Sequence, residues 1–381
     1  MNSLLKETAT KPEKLFHYQN LLNDSKVTVT SIYMEDSQDY INTTQLSQTV
    51  DDDLLNDVIL MFFIGLFLGL IDLITILGNL LVCVTILSNV RLQTGTNYFI
   101  FSLSLSDLLL GITVLPFSTL NTVTTVRGIW PLGAVFCNIY ISFDVMFCTV
   151  SILQLFVISL DRYFAVTKPF RYIEWMTKKK AFNICLSIWV FSAALGFIPI
   201  HIGANSEVLW KVQNYDDPNM CIFEGNPVYV VFVSLSTYFI PLLVMCSVYV
   251  RVCTVAQQQV KRINELTKYG TVSGQNGKAN KDHNTSMMRD NKATFTLGSV
   301  VLAFTICWVP YFVLFTAKPF LQNPVPAEWD LLCLWLGYFN SLLNPFLYAF
   351  LNKEFHYGFL LVLSRNRAIK YRDMNPEVVH L

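Results

Sequence analysis

Seven apolar blocks, each long enough to cross a bilayer as a helix, limit this chain more than any other feature. They run Val58–Leu87, Tyr98–Leu120, Ala134–Tyr163, Ala181–Ile200, Val228–Cys253, Thr294–Thr316 and Leu331–Leu351. A hydrocarbon core about 30 Å thick is crossed by about 20 residues rising about 1.5 Å each. Lipid offers no hydrogen bonds, so a spanning segment must satisfy its own backbone, and helices are expected. Composition agrees: the 381 residues are 53% hydrophobic and 14% charged, with mean hydropathy +0.44. A soluble protein carries about a quarter charged residues. The expected fold class is an all-α membrane protein, a seven-transmembrane helix bundle with a short amphipathic helix after the seventh span.

The charges set an orientation. Connections alternate sides, and most Lys and Arg fall in one set, including Lys178, Lys179, Lys180, Lys261, Arg262 and Arg365, whereas Asp51, Asp52 and Asp53 fall in the other. Basic connections favour the cytoplasm, so the amino terminus is expected outside. Polar, acidic residues 1–57 read as a disordered extracellular tail and residues 58–351 as the transmembrane domain. Residues 352–381 read as an amphipathic helix, Asn352–Leu363, followed by a cytoplasmic tail. Asn23 and Asn42 open N-x-S/T sequons on the outer side and are candidate glycan acceptors. No apolar leader precedes the first span, which is expected to act as its own insertion signal.

Chemistry concentrates in the third span. Asp144 lies inside it and Asp161-Arg162-Tyr163 at its inner end, about 27 Å away along a helix. A carboxylate within a bundle needs a compensating positive charge, and no Lys or Arg lies at its depth in any span. A cationic ligand from outside would supply it; the structural alternative is a carboxyl hydrogen-bonded to Tyr338. Trp308, Tyr311, Phe312 and Trp335 can wall the same cavity and add cation–π attraction, although such an aromatic stripe is also ordinary packing. Asp107, in the second span, is a second deep acid. With Ser151, Asn340 and Asn344 it can form a polar cluster able to hold Na+. Pro116 and Pro310 are expected to bend their helices. Arg162, flanked by Asp161 and facing Asp290 across the inner end of the bundle, can hold that face closed by pairing and release it on activation. Cys137 and Cys221 both fall on the outer, oxidising side, where they can bridge or remain free thiols.

Other chemistries find no footing. Glycine-rich nucleotide loops, metal-ligand spacings and hydrolytic constellations are absent from the sequence, so no enzyme is expected. The paired repeats usual in carriers are also absent, and a seventh-span lysine for a Schiff-base chromophore is missing.

Gly78-Asn79, Leu105–Asp107, Asp161-Arg162-Tyr163, Trp189, Pro241 with Tyr249, Cys307-Trp308-Val309-Pro310 and Asn344-Pro345 with Tyr348 occur in order across the blocks. Together with Cys137 and Cys221 this set resembles the rhodopsin-like (class A) G-protein-coupled receptor family. Asp144 seven residues after Cys137, with Trp335 and Tyr338, resembles its biogenic-amine group. The runs SDLLLGITVLPFS (106–118), VFCNIYISFDVM (135–146), QVKRIN (259–264) and CLWLGYFNSLLNP (333–345) are similar to histamine-binding members, and NPFLYAFLNKEF (344–355) to serotonin-binding ones.

The resemblance implies a plasma-membrane receptor whose amine ligand places its ammonium on Asp144, with Val145, Cys148, Val233, Ser234, Thr237, Trp308, Tyr311, Phe312, Trp335 and Tyr338 around it. It implies a heterotrimeric G protein of the stimulatory class, acting on adenylate cyclase, as partner, with arrestin and receptor kinases, and no nucleic acid. Asp161, Arg162, Tyr163, Tyr249, Asp290, Pro345 and Tyr348 would be the switch and coupling residues. One position departs: histamine-binding members carry a second Asp four residues before the threonine matched by Thr237, and here it is Val233. Alternatives are a trace-amine or orphan receptor on another G protein, and, in a different class, a membrane carrier.

Overall fold

A computed structural model of the chain describes residues 38–125, 130–203, 210–211, 221, 224–225, 227–270, 298–321 and 325–364. It divides into two compact units, Met1–Met61 and Phe62–Leu381. The described part of the first unit belongs to the helix Gln38–Ser88, whose apolar, bilayer-crossing portion is Leu55–Ser88. That helix starts well before Val58, so residues 38–57, read as tail from their polarity, are helical. Asn42 falls within it; Asn23 and Asp290 lie outside the described residues.

The described residues of the second unit are almost all helical. Gly95–Thr113 and Leu115–Thr125 form the second span, bent by 41° at Val114. The bend lies beside Pro116, which has no N–H for the carbonyl of Ile112. Gly133–Thr167 is the third span; the short helix Pro169–Trp175 links it to the fourth, Lys178–Gly203. The fifth is composite: Pro227–Val233, a π-helical stretch Ser234–Phe239, then Ile240–Gly270. Its π turn precedes Pro241, and the Ile240 N–H bonds Leu235 O, one residue further back than in an α-helix. The sixth span, Gly298–Phe320, continues through Pro310 and ends in a tighter turn, Lys318–Phe320. The seventh is Ala327–Leu351.

Among the described residues, five helices and the bent pair are long and apolar enough to cross a bilayer. The seventh span is less apolar because its polar residues Asn340, Ser341 and Asn344 face inward and are buried. Lipid-facing surfaces are correspondingly greasy, with Phe62, Leu66, Leu243, Ile306 and Phe350 exposed, which a bilayer covers.

The third span packs against the second, fourth and fifth and forms the centre of the unit. Its approach to the fourth depends on Gly196, where a Cβ would lie 2.6 Å from the carbonyl oxygen of Ser142. A disulfide joins Cys137, in the first turns of the third span, to Cys221, with Cα atoms 5.8 Å apart. Cys221 lies in the connection between the fourth and fifth spans, which also holds a short antiparallel ladder of Trp210–Lys211 with Glu224–Gly225. Apolar periodicity did not reveal that ladder, because two-residue strands leave no pattern.

After the seventh span Asn352 turns extended, and its side chain accepts from the Glu354 N–H at 3.0 Å. This cap starts the amphipathic helix Lys353–Ser364. Its buried face carries Phe355 and Phe359, with Phe355 stacked on Tyr348 at 5.4 Å.

Candidate ligand-binding and switch sites

Asp144 sits half-buried on the third span, where Cys148, one turn on, places its Sγ 3.4 Å from Oδ1. The Tyr338 hydroxyl hydrogen-bonds the same carboxylate. Behind it runs a chain: Ser118 Oγ donates to Tyr338 Oη at 3.2 Å and lies 2.6 Å from Tyr140 Oη. With Tyr140 donating to Ser118, the hydrogen bonds run one way, from Tyr140 through Ser118 to Tyr338 and on to Asp144. Three spans thereby hold one carboxylate in place without neutralising it. No ion pair forms at Asp144 among the described residues.

Aromatic side chains build the wall. Trp308 and Phe312 are buried, Tyr338 is fully buried, and Tyr311 and Trp335 are half-buried. Trp308 meets Tyr311 edge to face at 5.7 Å and Tyr338 at 6.4 Å. Gly337 allows this, since a Cβ there would lie 2.8 Å from the Trp308 ring. Trp335 meets Tyr338 at 5.5 Å and donates its indole N–H to Thr122 Oγ1 at 2.9 Å. From the fifth span, Tyr238 stacks on Phe312 with centroids 4.0 Å apart.

The π turn carries Ser234 and Thr237, both buried. Thr237 donates to Val233 O at 2.7 Å, while Ser234 Oγ has no hydrogen-bond partner among the described residues. Val233 and Val145 are half-buried.

Asp107 is fully buried and accepts from Asn344 Nδ2 at 2.7 Å, Ser341 Oγ at 2.8 Å and Ser151 Oγ at 3.3 Å. Ser341 was not singled out in the sequence. Asn340 was, yet its buried amide makes no hydrogen bond among the described residues. At helical spacing 340 and 344 share a face, so the sequence favoured that pair. Side-chain reach, which spacing does not encode, gave Asp107 to Ser341. Asn79 ties the first span to the seventh through Ser341 O at 3.0 Å. Trp189 and Gln154 both donate to Ser102 Oγ, at 2.9 and 2.6 Å, joining the second, third and fourth spans.

At the far end of the third span Asp161 is saturated. It accepts from Arg162 Nη2 at 2.6 Å, Thr96 Oγ1 at 2.8 Å and Tyr172 Oη at 2.6 Å. Arg162 also donates to Thr96. Burial, then the adjacent Asp161 carboxylate, push the Tyr172 hydroxyl up to about 12, so it remains a donor. Thr96, 65 residues from Asp161, and Tyr172, 11 residues away on a separate helix, were missed because nothing in the local sequence marks either as its partner. Tyr163 is half-buried and packs edge to face on Phe164 at 5.5 Å. Tyr249 lies against Gly298 of the sixth span and within electrostatic range of Arg162. Tyr348 is fully buried, and its hydroxyl has no partner among the described residues. Pro345 meets Gly78 of the first span, where a Cβ would lie 3.0 Å from its ring.

Asp72 reads from sequence as an acid near the outer water boundary. Instead it is buried against the second span and accepts from Thr119 Oγ1 at 3.3 Å.

Residues 78–348 match the profile of the 7 transmembrane receptor (rhodopsin family). The histamine H2 receptor of Rattus norvegicus is 42% identical over 308 residues, 81% of each chain. The human histamine H2 receptor is 42% identical over 293 residues, 77% of each. The human 5-hydroxytryptamine receptor 4 is 38% identical over 306 residues, 78% of each. The matched residues 78–348 run from the first span to the seventh and take in Asp107, Asp144 and the Asp161-Arg162 pair. The chain is a multi-pass membrane protein and belongs to the rhodopsin family of seven-transmembrane receptors.

Proposed function

We propose that the chain is a plasma-membrane receptor for a biogenic amine, with its amino terminus outside, and that it activates a stimulatory heterotrimeric G protein. The observation that carries this reading is Asp144: a half-buried carboxylate held by Tyr338 and Cys148, walled by aromatic rings and lacking a cationic partner among the described residues. An ammonium group completes that arrangement through a charge-assisted hydrogen bond and cation–π contacts. The names of the relatives, histamine and 5-hydroxytryptamine receptors, support the same ligand class. Ligand contacts would then come from Val145, Cys148, Val233, Ser234, Thr237, Trp308, Tyr311, Phe312 and Trp335. Trp308, packed on Gly337, links them to the sixth span. Movement of that span at its inner end, where Gly298 lies against Tyr249, would open a docking surface beside Arg162 for a G protein, later available to arrestin and receptor kinases.

The test is cyclic AMP in transfected cells challenged with histamine, serotonin, dopamine, octopamine, tyramine and trace amines. A saturable rise with one of them is expected. Silence across the panel, with protein shown at the cell surface, would overturn the reading.

Specificity is open to a second test. Valine cannot accept from an imidazole N–H, whereas the unpartnered Ser234 hydroxyl can serve an indole or phenol. Val233→Asp is expected to raise histamine potency about tenfold or more, the worth of a charged hydrogen bond. Equal shifts for every amine would count against this placement of the fifth span.

The polar cluster fits Na+. Asp107 supplies a carboxylate, Ser151 a hydroxyl, and the amide oxygens of Asn340 and Asn344 are buried without partners. These four residues would hold the ion and set it against the active arrangement of the seventh span. Replacing Na+ by N-methylglucamine is expected to tighten agonist binding about fivefold or more. Asp107→Asn should remove that sensitivity in a competition assay; a sodium effect that survives it would place the ion elsewhere.

A further inference from the structure

Lys318 and Asp330 ion-pair between the ends of the sixth and seventh spans, with each side chain about one-third exposed at 33%. Lys318 opens the tight turn that closes the sixth span; Asp330 lies in the first turn of the seventh. Helical spacing places both relative to the cavity. Lys318 is seven residues beyond Tyr311, on the same face of that helix and about 10 Å further along. Asp330 precedes Tyr338 by eight residues, about 12 Å. Tyr311 lies within electrostatic reach of both Asp144 and Asp330. One line therefore runs from the Asp144 carboxylate, past Tyr311 and Tyr338, to the ion pair. The same two spans also touch where Trp308 packs on Gly337, ten residues before Lys318 along the sixth span.

We propose that Lys318 and Asp330 form an ionic strap across the mouth of the Asp144 cavity, controlling which molecules reach that carboxylate and how fast. A part-exposed ion pair adds little to global stability. Its position, not its strength, gives it a role. On this proposal a small amine would sit beneath the closed pair, whereas passage in or out, or a longer ligand, would require the pair to part. The strap concerns access to the cavity assigned above to an amine, and its test needs no amine agonist.

Cys148, beside Asp144, is a native reporter of access. Its thiolate attacks the sulfenyl sulfur of 2-aminoethyl methanethiosulfonate, forming a mixed disulfide and expelling methanesulfinate. Labelling would be timed on intact cells, with Cys148→Ser subtracting reaction at the other cysteines and surface biotinylation normalising expression. Lys318→Gln and Asp330→Asn are each expected to speed Cys148 labelling about twofold to fivefold, the range for an exposed pair. The exchanged pair, Lys318→Asp with Asp330→Lys, should restore the parent rate.

Three results would overturn the strap: unchanged rates, an exchanged pair as fast as the single variants, or single variants that shift the rate in opposite directions. The last would mean that each lone charge merely steers the cationic reagent. If instead Asp144→Asn leaves amine responses intact while labelling follows the expected pattern, the amine reading fails and the strap stands.

Discussion

Asp144→Asn is expected to abolish the amine response while the receptor still reaches the cell surface. The substitution keeps the size of the side chain and one accepting oxygen, so a partner remains for Tyr338 or Cys148. It removes the negative charge. A ligand ammonium would then be desolvated in an aromatic cavity with no counter-ion, a loss of about 3–5 kcal/mol for breaking a buried pair. That corresponds to a drop in potency of roughly two to four orders of magnitude. Concentration–response curves for cyclic AMP, with surface immunolabelling of the same cells, decide the matter. Unchanged potency in a well-expressed variant would refute the salt bridge. The chain from Tyr140 through Ser118 to Tyr338 gives a graded version of the same result. Those hydroxyls orient the carboxylate but do not charge it, so their removal should weaken the response far less.

The second large effect is structural. Gly196→Ala should sharply reduce the folded receptor, because the new Cβ would lie 2.6 Å from the Ser142 carbonyl oxygen and 3.1 Å from the Met146 nitrogen. Both atoms are backbone and cannot rotate aside, so the third and fourth spans must separate. Overpacking of this kind costs about 1–3 kcal/mol. Around the contact, Phe143 meets Phe197 edge to face at 5.1 Å, and Ser142 lies two residues before Asp144. A shift there therefore reaches the ligand carboxylate. Thermal unfolding of purified receptor, read beside surface expression, provides the measurement. A variant with parent-like stability and amine potency would show that the two helices tolerate a wider gap than the structure gives them.

Much of this protein was legible in its sequence. The membrane fold follows from the apolar blocks, since lipid leaves helices as the economical way to satisfy the backbone. Asp107, Asp144 and Arg162 stood out because a charge inside a span is costly unless it serves a purpose. Bending at the second span was signalled by Pro116, and the possible bridge of Cys137 to Cys221 by their shared side of the membrane.

Partnerships were another matter. Nothing local in the sequence joins Thr96 and Tyr172 to Asp161, gives Asp107 to Ser341 rather than Asn340, or sets Ser118 between two tyrosines. Tyr140 alone left a trace, lying four residues before Asp144 and so on the same helical face. Asp72 shows the limit well. It reads from the sequence as an acid at the water boundary, but the second span covers it and Thr119 binds it.

Sequence by itself determined which segments cross the membrane, which of their residues are too polar to face lipid, and the family these motifs belong to. It could do so because hydropathy, charge and proline act along the chain, within a few turns of one helix. Only the tertiary structure decided which polar groups meet, where Gly196 and Gly337 let helices touch, and that Lys318 and Asp330 face each other beyond the cavity. Those depend on the rotation and separation of neighbouring helices, quantities set by packing between segments far apart in the sequence.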